Sequence, residues 1–349
     1  MYKYLFSFLI LSQNLLIPAK LLGCELCDYE LQNIQKENAK KYYESYSDED
    51  SDQASFCLGF QKGMNQVQAT KLKYHPLIFV YQNLLMNTEL VDAYEYEVSI
   101  CAIFRNDARF LKEWVEFHIE QGVEHFWLYN NLSQDDWQSE LHPYIDTGMV
   151  EIIDWPYESI KQEDWNIIQC KAYMDGVKLS KGVSRWVAFL DTDEFLFSPK
   201  KKKLGHVLKQ YKHYPGIQVH WVLYGTSNVQ EVKKGNMLNE LVMRAELLSS
   251  GNRHLKSIVQ PKYVVRCENP HYFYYSKRHS VNENFDKTYG CFHDNISVNI
   301  LRINHYTHRD LEFFFNEKMS RRYKWGYPIE GMIEFDDELN KIYDPILFK

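Results

Sequence analysis

The chain has 349 residues, of which 45% are hydrophobic and 25% charged, as in ordinary globular proteins with one large domain or two smaller ones. Its formal net charge of −7 argues against non-specific binding of nucleic acids, so no nucleic-acid partner is expected. The sequence also lacks a glycine-rich phosphate loop of the Walker or dinucleotide type.

Residues 1–23 have the pattern of a secretory signal peptide or a short N-terminal anchor. Lys3 gives a weakly positive start, and residues 5–17 are largely apolar but too short and too interrupted to span a membrane. The sequence at 21–24 resembles a bacterial lipoprotein cleavage box, in which Cys24 would carry the lipid. We therefore expect an exported or membrane-associated protein. If the segment is an ordinary apolar helix instead, the protein is cytoplasmic.

Residues 24–96 are predicted to form a lead-in and linker region, because they are polar and contain an acidic run at 48–52. A regular alternation of apolar segments begins near residue 97. We place the main domain at 97–330 and a C-terminal tail at 331–349.

The first half of this domain is predicted to consist of alternating strands and helices. Strands are predicted at 99–104, 126–129, 150–153 and 186–190, and helices between them at 107–121, 137–144 and 166–179. This alternation is typical of βαβ units and predicts an α/β fold with a mostly parallel, Rossmann-type sheet and helices on both faces. After Pro199 the strand-like runs are mixed with polar turns, which predicts a smaller antiparallel half at 216–223, 241–245 and 263–266.

Each of the four predicted parallel strands ends in polar residues. Arg105 follows the first strand, Asn130 the second, Asp154 the third and residues 191–194 the fourth. Ligands of parallel sheets bind outside the carboxyl ends of the strands. We therefore expect these side chains to line one rim that holds a ligand.

The fourth strand is an apolar run that stops abruptly in three acids. If the extended conformation continues past Leu190, Asp191 and Asp193 project to the same side. Two such carboxylates repel each other unless a proton, a basic side chain or a metal ion lies between them. No basic residue is adjacent in the sequence, which favours Mg²⁺ or Mn²⁺ with oxygen ligands. The alternative is a solvated loop after the strand.

Four segments in the right order resemble glycosyltransferase family 92, a family once named as domain of unknown function 23. They are CAIFRNDARFLKEWVEFHIEQGVEHFWLYNN (101–131), YIDTGMVEIIDWP (144–156), RWVAFLDTDEFLF (185–197) and INHYTHRDLEFFFNEKMSRR (303–322). The resemblance implies a GT-A fold with a DxD metal site, a nucleotide-sugar donor, a glycan or other hydroxyl acceptor, and transfer with inversion. Known members imply UDP-galactose as one candidate donor.

The sequence departs from the family pattern at two places. Arg309 stands where the closing motif usually has a lysine, and the second strand ends in Asn130-Asn131 where an acid is usual. The second departure concerns recognition of the base and therefore the choice of donor.

The resemblance and the strand ends together assign roles to residues. Asp191, Asp193 and His305 are predicted metal ligands, and a core histidine is the alternative for His305. Lys318 and Arg321 lie one helical face apart and can reach the diphosphate, or form a solvated helix face. Asp191 is also predicted to bind the donor, either through the metal ion or through the ribose. The list of donor-binding residues is completed by Arg105, Asn130 and Gln169, for each of which ordinary loop or capping polarity is the alternative.

Glu194 is named as the general base because it lies next to the two acids, although its spacing directs it opposite to Asp193. Trp221, Tyr224 and Gly225 are predicted to form the platform for the acceptor sugar, with core packing as the alternative for Trp221. Two other functions stay open: a non-catalytic sugar-binding module on the same fold, and a metal-dependent phosphoesterase using the same acids.

Overall fold

The computed structural model describes residues 94–348. The predictions for residues 1–23 and for 24–93 lie outside the described residues. Twelve strands are described, and their bounds are β1 Tyr96–Phe104, β2 His125–Asn130, β3 Val150–Asp154, β4 Ser184–Phe189, β5 Glu194–Phe197, β6 Gly216–Leu223, β7 Met243–Arg244, β8 Leu255–Val259, β9 Val264–Asn269, β10 Tyr272–Tyr275, β11 Arg302–His305 and β12 Ile342–Tyr343.

Eight of these strands form one sheet in the order β3-β2-β1-β4-β8-β6-β11-β5. The first four are parallel to one another. Strand β8 is antiparallel to both β4 and β6, and β11 runs parallel to β6 but antiparallel to β5. The predicted α/β fold, with a mostly parallel half followed by a half that contains antiparallel strands, is therefore confirmed.

The helices connect the strands as predicted. They are α1 Ala108–Glu120, α2 Trp137–Asp146, α3 Gln162–Ser180, α4 Leu204–Leu208, α5 Met237–Glu240, α6 Leu311–Phe313, a π-helix at Phe314–Met319, α7 Ser320–Lys324 and α8 Met332–Leu339. Among the described residues, no helix combines the length and the apolar character that a membrane crossing requires.

The core lies on both faces of the sheet. Alternate residues of β1 point to opposite faces: Ile100 packs in the cluster that contains Trp114 of α1, and Cys101 in the cluster that contains Tyr173 of α3. Gly176 lets helix α3 pack closely against strand β1 on the second face, since a Cβ at this position would lie 2.5 Å from the Cys101 Sγ. The expected helices on both faces are thus present.

The C-terminal residues belong to the fold through residue 348, and the expected tail at 331–349 is corrected. Leu339 of α8 is fully buried, and Asp336 accepts a hydrogen bond of 2.6 Å from the Thr226 hydroxyl. Strand β12 pairs with β7. These contacts are long-range, so the local sequence pattern did not indicate them.

Candidate functional site

The acidic segment after β4 is a tight turn, not an extended continuation of the strand. Strand β4 ends at Phe189, and the Glu194 amide donates to the Asp191 carbonyl at 3.1 Å before β5 begins. The expected alternation past Leu190 is therefore wrong. The turn still leaves the Asp191 and Asp193 side chains partly exposed at the rim, while Glu194 points inward.

Asp191 is held by partners on both of its carboxylate oxygens. Oδ1 accepts hydrogen bonds from the Gln169 amide at 2.6 Å and the Tyr173 hydroxyl at 3.3 Å. Oδ2 lies 3.2 Å from the Lys256 ammonium. Burial raises the pKa of Asp191, but Lys256 and nearby histidines outweigh it and bring that pKa below its usual range.

Lys256 is the basic side chain that lies between the acids of the turn. It is distant from them in the sequence and was therefore not predicted. It extends from β8, is 1% exposed, and lies 3.5 Å from Glu194 as well as close to Asp191. The signal in the sequence was a lysine inside the largely apolar run at 255–259, since a buried lysine requires a counter-charge. Gln169, predicted to bind the donor, lies next to the acids, where its amide donates to Asp191.

Glu194 is not placed to act as the general base, so that prediction is wrong. Its side chain has no exposed surface, and its Oε2 accepts a hydrogen bond of 2.9 Å from the Asp191 amide. Burial raises the pKa of Glu194 well above its usual range. A base must reach the acceptor hydroxyl directly or through one water, which this enclosed carboxyl does not do.

Asp193 faces His305, as the metal-site prediction requires. The Asp193 Oδ1 lies 3.4 Å from the His305 Nε2, and this buried oxygen has no hydrogen-bond partner among the described residues. Burial raises the pKa of Asp193, but His305, Arg309 and Lys318 outweigh it and hold that pKa far below its usual range. A charged carboxylate and an imidazole nitrogen that face each other without a hydrogen bond fit a shared Mn²⁺ ion.

This pair is not a complete metal cage. Within residues 94–348, no group of three or more His, Cys, Asp or Glu side chains is arranged to hold a metal ion. The partnered oxygens of Asp191 explain why the third predicted ligand does not join Asp193 and His305. A site with two protein ligands completes its coordination with oxygens from water or from a substrate.

The acidic turn is clamped by a buried ion pair that the sequence did not indicate. Arg309 donates to Asp107, and the Thr192 hydroxyl donates to the other oxygen of Asp107 at 2.7 Å. Arg309 is 2% exposed, and its guanidinium stacks between the rings of Phe110 and Phe313. Arg309 thus connects the segment 303–322, called the closing segment below, to the acidic turn and to the start of α1.

Lys318 and Arg321 lie near Asp193 and add positive charge to the rim. Lys318, in the π-helix, donates to the Thr307 carbonyl and hydroxyl. Burial and the neighbouring guanidiniums of Arg321 and Arg309 lower the pKa of Lys318 to about 8, although Asp193 opposes this. Burial also lowers the pKa of Arg321, against the attraction of Asp193.

Arg105 and Asn130 lie at the adjacent ends of β1 and β2, where Phe104 pairs with Asn130. Arg105 is exposed and forms an ion pair of 3.3 Å with Glu158, and the Asn130 Oδ1 accepts from the Ser133 amide at 3.1 Å. A pocket of about 350 Å³ opens beyond these strand ends. Its lining includes residues that follow both strands and the helices of the closing segment: Asn106, Arg109, Asp135, Phe313, Asn316 and Glu317.

A cluster of aromatic and imidazole rings lies on the other side of His305. Trp221 contacts His305, His254 and His271, with ring centroids 4.2, 4.8 and 5.1 Å apart. The Nδ1 atoms of His254 and His271 lie 2.9 Å from backbone carbonyls, to which each donates, so each Nε2 is left as an acceptor. The sequence did not indicate this cluster, because its members come from separate strands and loops.

The predicted acceptor platform is corrected in part. Tyr224 is 1% exposed and donates its hydroxyl to the Asp344 carbonyl, so its ring belongs to the core. Trp221 is 8% exposed, and its Nε1 has no hydrogen-bond partner among the described residues. Gly225 lies against Asn340, where a Cβ would come within 2.5 Å of the side-chain oxygen.

Several known proteins are similar to this chain. A glycosyltransferase family 92 protein of Ricinus communis is 30% identical over 232 residues, which cover 65% of this chain and 38% of that protein. The beta-1,4-galactosyltransferase galt-1 of Caenorhabditis elegans is 25% identical over 194 residues, covering 49% of this chain and 45% of that protein. The chain thus spans less than half the length of these relatives.

Among solved structures, S. aureus TarS in complex with UDP matches 47% of this chain and 47% of that chain, with a TM-score of 0.32 and 14% identity. Glucosyl-3-phosphoglycerate synthase from Mycobacterium tuberculosis matches with a TM-score of 0.28 and 13% identity, over 48% of this chain and 57% of that chain. The family model of glycosyltransferase family 92 matches residues 94–343, which is most of the chain and the whole of the sheet described above. The chain therefore belongs to glycosyltransferase family 92.

Proposed function

We propose that this protein transfers a hexose from a UDP-sugar to a hydroxyl group of a glycan or other acceptor, with inversion at the anomeric carbon. The observation that carries the proposal is the pair formed by Asp193 and His305 at the rim, where a buried carboxylate oxygen without a hydrogen bond lies 3.4 Å from an imidazole nitrogen. Membership of the family supports sugar transfer. Similarity to a beta-1,4-galactosyltransferase supports galactose as a candidate sugar.

Asp193 and His305 are the residues that would hold a Mn²⁺ or Mg²⁺ ion. Such an ion supplies charge neutralisation for the departing diphosphate, which is the difficult charge in this reaction. Asp191 acts beside it as a fixed negative charge, oriented by Gln169 and Lys256. We assign Asp191 to the ribose and not to the metal ion: its partners fix both oxygens in place, and its partly exposed carboxylate keeps lone pairs that can accept a hydrogen bond from a ribose hydroxyl.

The positive side chains near Asp193 suit the diphosphate. Arg321 is close enough to Lys318 to help lower its pKa, and the charge of Asp193 acts on the pKa of both side chains. Charge-assisted hydrogen bonds from such groups to phosphate oxygens are stronger than neutral ones. Arg105 and Asn130, at the ends of β1 and β2, are assigned to the uridine.

The ring cluster around Trp221 is assigned to the acceptor. His271 is neutral near pH 7, because burial lowers its pKa to about 3, and its Nε2 is the acceptor atom of the ring. A bare imidazole nitrogen can accept a hydrogen bond from a sugar hydroxyl. His271 therefore replaces Glu194 as the group proposed to orient the attacking hydroxyl.

The phosphoesterase alternative loses support from the structure. Two-metal hydrolytic sites collect more acids and histidines than one pair. In the part of the chain that is described, no three-ligand group exists. The sugar-binding module remains the contrasting hypothesis for the experiment below, and export or membrane association through residues 1–23 remains a proposal from the sequence.

A panel of nucleotide sugars, incubated with the full chain and without acceptor, tests the proposed function. We expect slow release of UDP from one UDP-sugar in the presence of Mn²⁺, and no release after chelation with EDTA. Isothermal titration calorimetry with UDP and Mn²⁺ should show binding. Absence of both turnover and UDP binding would contradict the proposal and favour a sugar-binding module.

A further inference from the structure

A second pocket lies at the opposite end of β5 from the acidic turn. Its volume is about 320 Å³. Asp193 precedes β5 and Ser198 follows it, so the two ends are about 16 Å apart at the rise of an extended strand. The pocket is therefore separate from the site at Asp193 and His305. Its lining consists of Ser198, Lys200, Lys202, His206, Val207, Lys209, Gln210 and Ile300.

The three lysines of this pocket have no counter-charge in the part of the chain that the structure describes. Lys200, Lys202 and Lys209 are exposed, and none of them forms an ion pair with a carboxylate within residues 94–348. None of the described residues that line the pocket is acidic. The whole chain carries a net charge of −7, so a cavity surrounded by three unpaired lysines has the opposite sign of charge to the chain as a whole. Mutual repulsion of like charges is relieved by binding an anion.

A buried hydroxyl at the same pocket also lacks a partner. Ser198 is 3% exposed, lines the pocket, and its Oγ has no hydrogen-bond partner among the described residues. Buried hydroxyls are normally hydrogen-bonded, since an unsatisfied one costs free energy. A ligand oxygen in the pocket would accept the Ser198 proton and remove this cost.

The chain bends sharply to bring these groups together. The Lys201 amide donates to the Ser198 carbonyl at 2.8 Å, and Lys201 has a φ of 55°, which is unfavourable for a residue with a side chain. The turn places Lys200 and Lys202 on the pocket.

We infer that this pocket binds a phosphate group, with the Ser198 hydroxyl donating to one phosphate oxygen and Lys200, Lys202 and Lys209 neutralising its charge. The site is independent of the proposed sugar transfer. A soluble phosphate and the phosphate headgroup of a lipid share this chemistry, and the apolar side chains of Val207 and Ile300 would favour the lipid.

Isothermal titration calorimetry of the full chain with inorganic phosphate tests the inference. Saturable binding is expected, weakened about tenfold or more in the Lys200→Gln/Lys202→Gln double variant and in Ser198→Ala, because each loses charge-assisted hydrogen bonds. The matched control is Lys171→Gln/Lys178→Gln, which removes two exposed lysines of α3. Lys318→Gln controls for phosphate binding at the other site. The α3 control should bind as the wild type does. In Lys318→Gln any phosphate binding at the other site is weakened, so saturable binding that persists in this variant belongs to the second pocket.

A second titration, with soluble dioctanoyl phosphatidate and with dioctanoyl glycerol, separates the two sources. Tighter binding of the phosphatidate than of inorganic phosphate, lost in the same variants, assigns the site to a lipid headgroup. Equal affinities assign it to soluble phosphate. Absence of saturable phosphate binding, unchanged binding in the Lys200 and Lys202 variant, or an equal loss in the α3 control would overturn the inference. Because the variants leave Asp193 and His305 intact, this failure would be distinct from failure of the proposed function.

Discussion

The Lys256 ammonium lies 3.2 Å from the Asp191 carboxylate, although the two residues are 65 positions apart in the sequence. The same buried ammonium lies 3.5 Å from the Glu194 carboxyl group. This lysine compensates the charges that crowd together in the acidic turn. Burial lowers the pKa of Lys256, but the carboxylates of Asp191 and Glu194 outweigh burial and raise it above the usual range. The basic group between the rim acid Asp191 and the enclosed Glu194 is therefore a lysine from a distant strand.

Replacement of Lys256 by methionine should reduce both stability and turnover. The expected loss is roughly 3–5 kcal/mol in the free energy of unfolding, because removal of one partner leaves buried charge uncompensated. Urea denaturation measures this. The Lys256→Met/Glu194→Met double variant should recover part of the stability but not the activity, since Asp191 still lacks its ammonium partner. Full recovery of turnover in the double variant would show that Lys256 has only a structural role.

Substitution of Asp193 by alanine should abolish metal-dependent release of UDP while the thermal unfolding midpoint stays within a few degrees of the wild type. Asp193 is a rim residue whose side-chain Oδ1 makes no hydrogen bond within the described part of the chain. Its loss removes a ligand but little packing. The matched control is Asp146→Ala, an exposed carboxylate at the end of α2. Unchanged activity in Asp193→Ala would end the metal-site assignment.

Glu194→Gln should retain turnover within about tenfold of the wild type. Glutamine keeps an oxygen that can accept the hydrogen bond from the Asp191 amide, and the side chain reaches no substrate. A general base contributes a factor of roughly 100 to 10,000. Steady-state kinetics with the preferred donor distinguishes the two cases, and a hundredfold fall in kcat would restore Glu194 as the base.

Stability should fall between pH 7 and pH 5 through His118. This histidine is fully buried, donates to the Trp114 carbonyl and accepts from the Leu196 amide at 3.1 Å. Burial lowers its pKa from 6.5 to about 3 in the folded chain. The unfolded chain therefore binds more protons below pH 6.5, so the stabilisation is complete above that pH and is lost as the pH falls towards 3.

By pH 5 this residue should cost the folded state about 2 kcal/mol. Urea denaturation at pH 7 and pH 5 checks it by comparison with His118→Gln, which cannot titrate. The variant should be less stable at pH 7 but should lose less stability on acidification. Equal losses in the two proteins would show that other groups dominate the acid response.

Much of the fold followed from local pattern. The strands β1 to β4 and the helices α1 to α3 lie close to their predicted positions, because apolar periodicity and turn residues are local properties of the chain. The predicted position of the site rested on one rule, that the carboxyl ends of parallel strands lie at the same edge of the sheet. In the structure Arg105, Asn130 and the acidic turn follow three strands that are parallel to one another, so they lie at one rim.

The sequence by itself determined the α/β architecture, the family and the acids at the rim. Only the tertiary structure decided which of the three acids faces His305 and which lie against Lys256. Asp191 is partnered and Glu194 enclosed because Lys256, on a strand far along the chain, inserts between them, while Asp193 faces His305. Such contacts depend on the order of strands in the sheet, which spacing along the chain does not specify.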